Sequence, residues 1–135
     1  MKRLAILGST GSIGVQTLDA ARWHGLRVVA LAAGRSADLL IRQAHEFKPE
    51  VVACDEAVGA EVRGNLPPGT RLAVGASGLE EVATSEVDVV VAAVPGIAGL
   101  APTAAALRAG HHVALANKEA MVVAGPLMWQ LAREH

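Results

Sequence analysis

Leu4-Ala5-Ile6-Leu7-Gly8-Ser9-Thr10-Gly11-Ser12-Ile13-Gly14 carries an apolar strand straight into three evenly spaced glycines. A strand over Arg3–Leu7 and a helix over about Ser12–Trp23 leave only this turn between them. A turn so tight needs glycine where φ is positive, and the next glycine removes a side chain that would block an approaching pyrophosphate. Backbone N–H groups from Thr10 to Ile13 are then expected to face the phosphates, helped by the positive end of the helix dipole. The hydroxyls of Thr10 and Ser12 can add to them. A bare glycine pattern is weak evidence, and an ordinary strand-to-helix turn with Ser12 as N-cap would look similar. Its place after the first strand favours dinucleotide binding.

Outward from the turn, short apolar runs alternate with helix-length segments. Strands are expected at Arg3–Leu7, Arg27–Ala33, Val51–Cys54, Arg71–Val74, Val87–Ala93 and His112–Ala116. Helices are expected at about Ser12–Trp23, Ala37–Glu46, Glu56–Asn65, Gly78–Ala83, Gly99–Ala109 and Gly125–Glu134. This alternation predicts an α/β fold of Rossmann type: a doubly wound, mostly parallel sheet with helices on both faces. The nearly unbroken run Val87-Asp88-Val89-Val90-Val91-Ala92-Ala93 fits a strand covered on both sides.

Composition supports one such domain over residues 1–135. Hydrophobic residues make up 52% of the chain, yet it has only two Trp, one Phe and no Tyr, so the core must be aliphatic. Net charge is −1, and no basic stripe is present, which argues against nucleic acid as a partner. The single Cys54 excludes an internal disulfide. Apolar runs stay far below the roughly 20 residues of a membrane span, and no signal-peptide pattern opens the chain. A soluble, cytoplasmic protein is expected. Met128-Trp129-Gln130-Leu131 near the C-terminus reads as amphipathic, with Trp129 and Leu131 expected to be covered. A helix that simply closes the domain would look similar; the reading taken is the N-terminal domain of a longer protein.

The end of the second strand bears on the cofactor. NAD-specific domains usually carry an acidic residue there, about 20 residues after the glycines. This chain reads Ala32-Ala33-Gly34-Arg35-Ser36. A guanidinium and a small hydroxyl suit a 2′-phosphate that a carboxylate would repel; the alternative is a solvated loop cation. Asp38 is better placed as a helix-start residue. A third site lies at the end of the last strand, where Asn117-Lys118-Glu119 emerge from Ala114-Leu115-Ala116 at the edge where parallel sheets bind ligands. These residues could hold a carbonyl-bearing anion or simply form a polar helix-capping turn, and the residues alone leave both open.

Together, Gly8 to Gly14 with Thr17-Leu18-Asp19, the Gly34-Arg35-Ser36 segment, Gly96-Ile97-Ala98-Gly99-Leu100-Ala101-Pro102-Thr103 and Ala116-Asn117-Lys118-Glu119 resemble the 1-deoxy-D-xylulose 5-phosphate reductoisomerase family. That family rearranges a sugar phosphate on a divalent metal (Mg or Mn) and reduces the resulting aldehyde with NADPH, giving 2-C-methyl-D-erythritol 4-phosphate for non-mevalonate isoprenoid synthesis. The resemblance implies that Thr10, Gly11, Ser12 and Ile13 meet the NADPH pyrophosphate. It implies that Gly34, Arg35 and Ser36 meet the adenosine 2′-phosphate, Asn117 and Glu119 the nicotinamide end, and Lys118 the sugar-phosphate substrate. Ser36 replaces the family's commoner Asn, and Pro95 stands where an aliphatic residue is usual.

The resemblance also implies a homodimer in the full-length enzyme. It places the metal ligands and a substrate-covering loop after His135, so no catalytic or metal residue is assigned within this chain, which alone is expected to be inactive. Asp55, Glu56, Glu80, Glu81, Glu86 and Asp88 read as structural charges, and the five histidines show no metal-ligand spacing. Alternatives are an NADP-dependent dehydrogenase domain of homoserine or aspartate-semialdehyde type, or a free-standing nucleotide-sensing module.

Overall fold

A computed structural model describes residues 1–116 and 118–135, with the backbone alone at 119 and 120. In chain order the elements are β1 (Arg3–Leu7), α1 (Ser12–His24), β2 (Arg27–Ala32), α2 (Ala37–Phe47), β3 (Val51–Cys54), α3 (Gly59–Arg63), β4 (Arg71–Val74), α4 (Gly75–Ala83), β5 (Val89–Ala92), α5 (Leu100–Arg108), β6 (His112–Leu115) and α6 (Lys118–Glu134). Short 3-10 turns at Glu56–Val58 and Ile97–Gly99 lead into α3 and α5. Asp55 accepts a hydrogen bond from the Ala57 amide at 2.8 Å and so caps the first of them.

Among the described residues the strands form one six-stranded sheet in the order β4-β3-β2-β1-β5-β6. Every neighbouring pair runs parallel. The chain builds outward from β1 to β4, then returns to lay β5 on the other side of β1. The order therefore reverses beside β1, and the crevice that this opens beyond the strand ends is where such sheets bind ligands.

Period-two alternation, shifted by one residue in β2 where the register slips between Val28 and Ala30, sends neighbouring residues of each strand to opposite faces. Leu4, Ile6, Val28, Leu31 and Val52 pack with Leu18, Ala21, Leu40, Ala44 and Val62 of α1–α3. Ala5, Leu7, Ala30, Ala32, Ala53 and Val90 pack with Val82 and Ala83 of α4 and Ala106 of α5. The second face is rich in alanine because α4 lies close to it: a Cβ on Gly78 would sit 3.0 Å from the Ala73 carbonyl carbon and 3.3 Å from Ala53 Cβ. Helices thus cover both faces, as the sequence predicts. Full burial of each Leu, Ile or Val side chain stabilises by about 1.5–3 kcal/mol, so stability resides in these layers and not in the loops at the strand ends.

Several boundaries differ from expectation. Helix α4 begins at Gly75, three residues early, and Gly75 itself turns the chain out of β4 with a φ of 70°. Strand β5 is shorter than expected. Asp88 lies outside it, its carboxylate accepting the Arg3 amide at 2.7 Å. The last helix begins at Lys118 instead of Gly125, and two helical pieces join at Ala124, whose φ of −138° and ψ of 28° are not helical. Pro126 lacks an N–H and its ring crowds the carbonyl four residues back, which accounts for the break. Leu131 is buried with Met128 and Ala104 as expected, whereas Trp129 is 56% exposed. No helix among the described residues is long and apolar enough to cross a membrane.

Candidate functional site: a cleft where the strand order reverses

Gly8 ends β1 with a φ of 87°, and a Cβ there would lie 2.6 Å from the Ala93 carbonyl oxygen. No other residue could both turn the chain and fit against the end of β5. The amides of Gly8 and Ser9 both donate to the Ala32 carbonyl at 2.8 Å, which ties the turn to the end of β2. Gly14 is held more tightly still: a Cβ there would lie 2.1 Å from the Gly8 carbonyl oxygen and 2.6 Å from Ser9 Cα. Two of the three glycines are therefore demanded by the chain itself.

Gly11 is not. Its φ of −78° and ψ of 175° suit any residue, and a Cβ on it would meet only the Gly8 carbonyl oxygen, at 3.7 Å. Neither the backbone nor the described neighbours require a glycine here, and its missing side chain leaves the helix start open to close approach. Gly11 is also the N-cap of α1, with no side-chain cap and no acidic residue in the first turn. The alternative of Ser12 as N-cap does not hold. Among the described residues, the amides of Thr10, Ser12 and Ile13 have no intrachain acceptor. The Gly11 amide does have one, turning back to the Gly8 carbonyl at 3.3 Å. Three donors of the expected four thus remain for an anion, at the positive end of a 13-residue helix.

Gly34, Arg35 and Ser36 are exposed and follow β2, on whose last carbonyl the glycine turn rests. The Asp55 amide donates to the Gly34 carbonyl at 3.0 Å, bracing this loop against the end of β3. Arg35 Nε lies 3.6 Å from Asp55 Oδ2, with the two side chains 76% and 42% exposed. A pair so open to water contributes little, and it leaves the Nη edge of the guanidinium without a partner among the described residues. Arg35 and Ser36 line a cleft of about 320 Å³ between α2 and α3, shared with Asp38, Arg42 and Glu61. Arg42 adds a second cation that sequence reading did not single out. Asp38 lies in the first turn of α2 behind Ser36 as N-cap, in keeping with its helix-start reading.

On the other side of the glycine turn, the Ala116 amide donates to the Ala92 carbonyl at 2.9 Å, so the chain leaves β6 beside the end of β5. Lys118 opens α6 and is exposed. Asn117 and the side chain of Glu119 lie outside the described residues. The strand order places the Arg35 loop and the Lys118 end on opposite flanks of the glycine turn.

Of the acidic residues read as structural, Asp88 holds the Arg3 amide and Glu81 pairs with Arg71. Asp55 combines its capping role with a position beside Arg35. Burial, and then the neighbouring Asp55 carboxylate, push the Cys54 thiol above its ordinary range. Among the described residues no three His, Cys, Asp or Glu side chains gather where they could hold a metal ion. A buried contact missed in the sequence also reaches the glycine turn: Gln43 Nε2 donates to the Ser9 carbonyl at 2.9 Å. A glutamine on the buried stripe of α2 formed by Leu40, Ala44 and Phe47 was the available signal.

A family model described as 1-deoxy-D-xylulose 5-phosphate reductoisomerase matches residues 4–125. The reductoisomerase of Thermus thermophilus is 54% identical over 135 residues, covering 100% of this chain and 35% of the relative. A solved reductoisomerase in complex with NADPH, fosmidomycin and magnesium superposes with a TM-score of 0.93 at 40% identity, over 100% of this chain and 35% of that one. The Zymomonas mobilis enzyme in complex with NADPH gives a TM-score of 0.95 at 37% identity, over 99% and 36%. This chain therefore spans about a third of the length of the relatives it matches.

Proposed function

This chain belongs to the 1-deoxy-D-xylulose 5-phosphate reductoisomerase family, and on that footing we propose that residues 1–135 form the NADPH-binding N-terminal domain of a longer enzyme. One observation carries the reading: among the described residues, three amides without intrachain acceptors surround a glycine that no described neighbour requires. They do so where the strand order reverses. Solved relatives in complex with NADPH support it.

In this proposal the amides of Thr10, Ser12 and Ile13 hold the pyrophosphate, and the missing side chain of Gly11 lets it approach closely enough to shorten those bonds. Gly34 lets the chain pass the adenosine ribose, while Arg35 and Ser36 bind the 2′-phosphate by charge-assisted hydrogen bonds. Asn117 and Glu119 stand beside the nicotinamide, and Lys118 contacts the sugar-phosphate substrate. NADPH, when bound, supplies the hydride that reduces the rearranged sugar-phosphate aldehyde. The chain's part is to bind and orient: the pyrophosphate is fixed over β1, and the flanking loops set which end faces the substrate. The described residues do not fit a metal ion. The divalent metal, Mg or Mn, is assigned to ligands in the rest of the enzyme, as are the substrate cover and a homodimer interface. A cytoplasmic location follows from the same assignment.

Thermal unfolding with each nucleotide tests the cofactor assignment. A ligand at about 100 times its Kd stabilises the native state by about 2.7 kcal/mol, so NADPH should raise the midpoint well above the shift that an equal concentration of NADH produces. Equal shifts, or none, refute it. Turnover of 1-deoxy-D-xylulose 5-phosphate with NADPH by the full-length protein tests the activity, and a full-length protein without it refutes that assignment.

A further inference from the structure

We propose that Gln43 is a positioning residue for the phosphate-binding turn, aiming the Thr10 amide at the cofactor through the Ser9–Thr10 peptide. The inference rests on the dinucleotide reading of that turn. Gln43 lies on α2, 34 residues from Ser9 in sequence, and its Nε2 donates to the Ser9 carbonyl at 2.9 Å in a buried contact. Ser9 is fully buried and Gln43 only 6% exposed. In a trans peptide the carbonyl oxygen of one residue and the N–H of the next point in opposite directions from a single plane. Holding the Ser9 oxygen against α2 therefore turns the Thr10 N–H away from the core. That N–H is one of the three without an intrachain acceptor. A hydrogen bond accepted by the carbonyl also polarises the peptide and strengthens the N–H as a donor.

Stability alone does not account for a glutamine at this position. Among the described residues, Gln43 Oε1 and Ser9 Oγ are buried without a hydrogen-bond partner, and unmet polar atoms in a core are destabilising. An apolar side chain would extend the stripe of Leu40, Ala44 and Phe47 and remove Oε1's unmet demand, but it would leave the buried Ser9 carbonyl unmet in its place, so the glutamine brings no net gain in satisfied oxygens. The opposite amide orientation would set the Gln43 and Ser9 carbonyl oxygens against each other. Gln43 also stands on the helix whose N-cap is Ser36, so one element links the pyrophosphate turn to the 2′-phosphate loop.

The test is the dissociation constant for NADP⁺ and NADH of the full-length protein, by calorimetry, for wild type, Gln43→Met and Gln43→Glu. The unfolding midpoint is measured without cofactor alongside. Gln43→Met keeps the length and loses the donor. It trades one unmet buried oxygen, Oε1, for another, the Ser9 carbonyl, so its midpoint should move little while both nucleotides weaken by about tenfold or more, in equal proportion, because they share the pyrophosphate. In Gln43→Glu only the protonated carboxyl can donate to the Ser9 carbonyl. Its NADP⁺ affinity relative to wild type should be poor at about pH 8 and recover towards about pH 5.5, since burial raises a carboxyl pKa. A role in packing alone would move the cofactor-free midpoint in step with the affinity. Affinities within twofold of wild type for a folded Gln43→Met overturn the inference. If that variant does not fold, a pH-independent ratio for Gln43→Glu overturns it instead. A wild-type protein that binds neither nucleotide overturns the dinucleotide reading, and this inference with it.

Discussion

Replacing Gly11 by alanine separates ligand binding from stability. The added Cβ meets only the Gly8 carbonyl oxygen, at an ordinary 3.7 Å, and the φ of −78° suits alanine. Fewer unfolded conformations favour the variant by about 0.4–1 kcal/mol, while alanine is the poorer N-cap by a similar amount. The folded state should therefore change by less than about 0.5 kcal/mol, or roughly 2 °C in the unfolding midpoint. Binding should respond differently. The methyl group occupies the space over the amides of Thr10, Ser12 and Ile13, so the pyrophosphate must retreat and loses at least one charge-assisted hydrogen bond. Each is worth about 1.5–3 kcal/mol, which raises Kd roughly ten- to a hundredfold. NADH should suffer in the same proportion as NADPH. Fluorescence titration of both nucleotides, with circular dichroism melts of the apo protein, measures the two effects. A Kd within twofold of wild type refutes the placement of the pyrophosphate. A midpoint lowered by about 5 °C or more (well over 1 kcal/mol) refutes the claim that the chain does not itself require this glycine.

Gly14→Ala should do the reverse in the apo protein: its Cβ meets backbone atoms at 2.1 Å and 2.6 Å, so melts should fall by roughly 6 °C or more for an overpacking cost of about 2 kcal/mol, and an unshifted melt would contradict the packing. Arg35→Asp should weaken NADPH by about tenfold or more and NADH by less than threefold; titrations that show an unchanged ratio would remove Arg35 from the 2′-phosphate. Cys54 is buried and its thiol pKa is raised, so a disulfide exchange reagent at neutral pH should label it only after unfolding, and rapid labelling of the native protein would contradict this. Because the folded pKa lies above the unfolded one, the thiol's contribution to stability is complete below the unfolded value and is lost as pH rises towards the folded one. Melts of the native protein and of Cys54→Ala should therefore converge in alkali.

Much of this molecule is legible along the chain. Strand β1, the glycine turn and α1 follow one another without a gap, and their physics is local: a positive φ at Gly8, a close approach at Gly14 and an uncapped helix start. The alternation of apolar runs with helical segments sufficed for a doubly wound sheet, because strands covered on both faces need continuous Val, Ile, Leu and Ala. Boundaries were less legible where one side chain outweighs propensity, as Asp88 does at β5 and Pro126 does within α6.

Contacts between residues distant in sequence became visible only in three dimensions. That Gly11, unlike Gly8 and Gly14, answers to nothing within the chain depends on distances from a Cβ to atoms around it, which spacing does not encode. The return of the Gly11 amide to Gly8 removed one expected donor. The pairing of Arg35 with Asp55 joins the ends of two strands, and the bond from Gln43 to Ser9 spans 34 residues. The elements, and the reading of the turn, could be had from the chain because both depend on neighbours in sequence. The strand order, the donors left open and the side chain proposed to aim one of them emerge only on folding, because they depend on residues brought together from far apart.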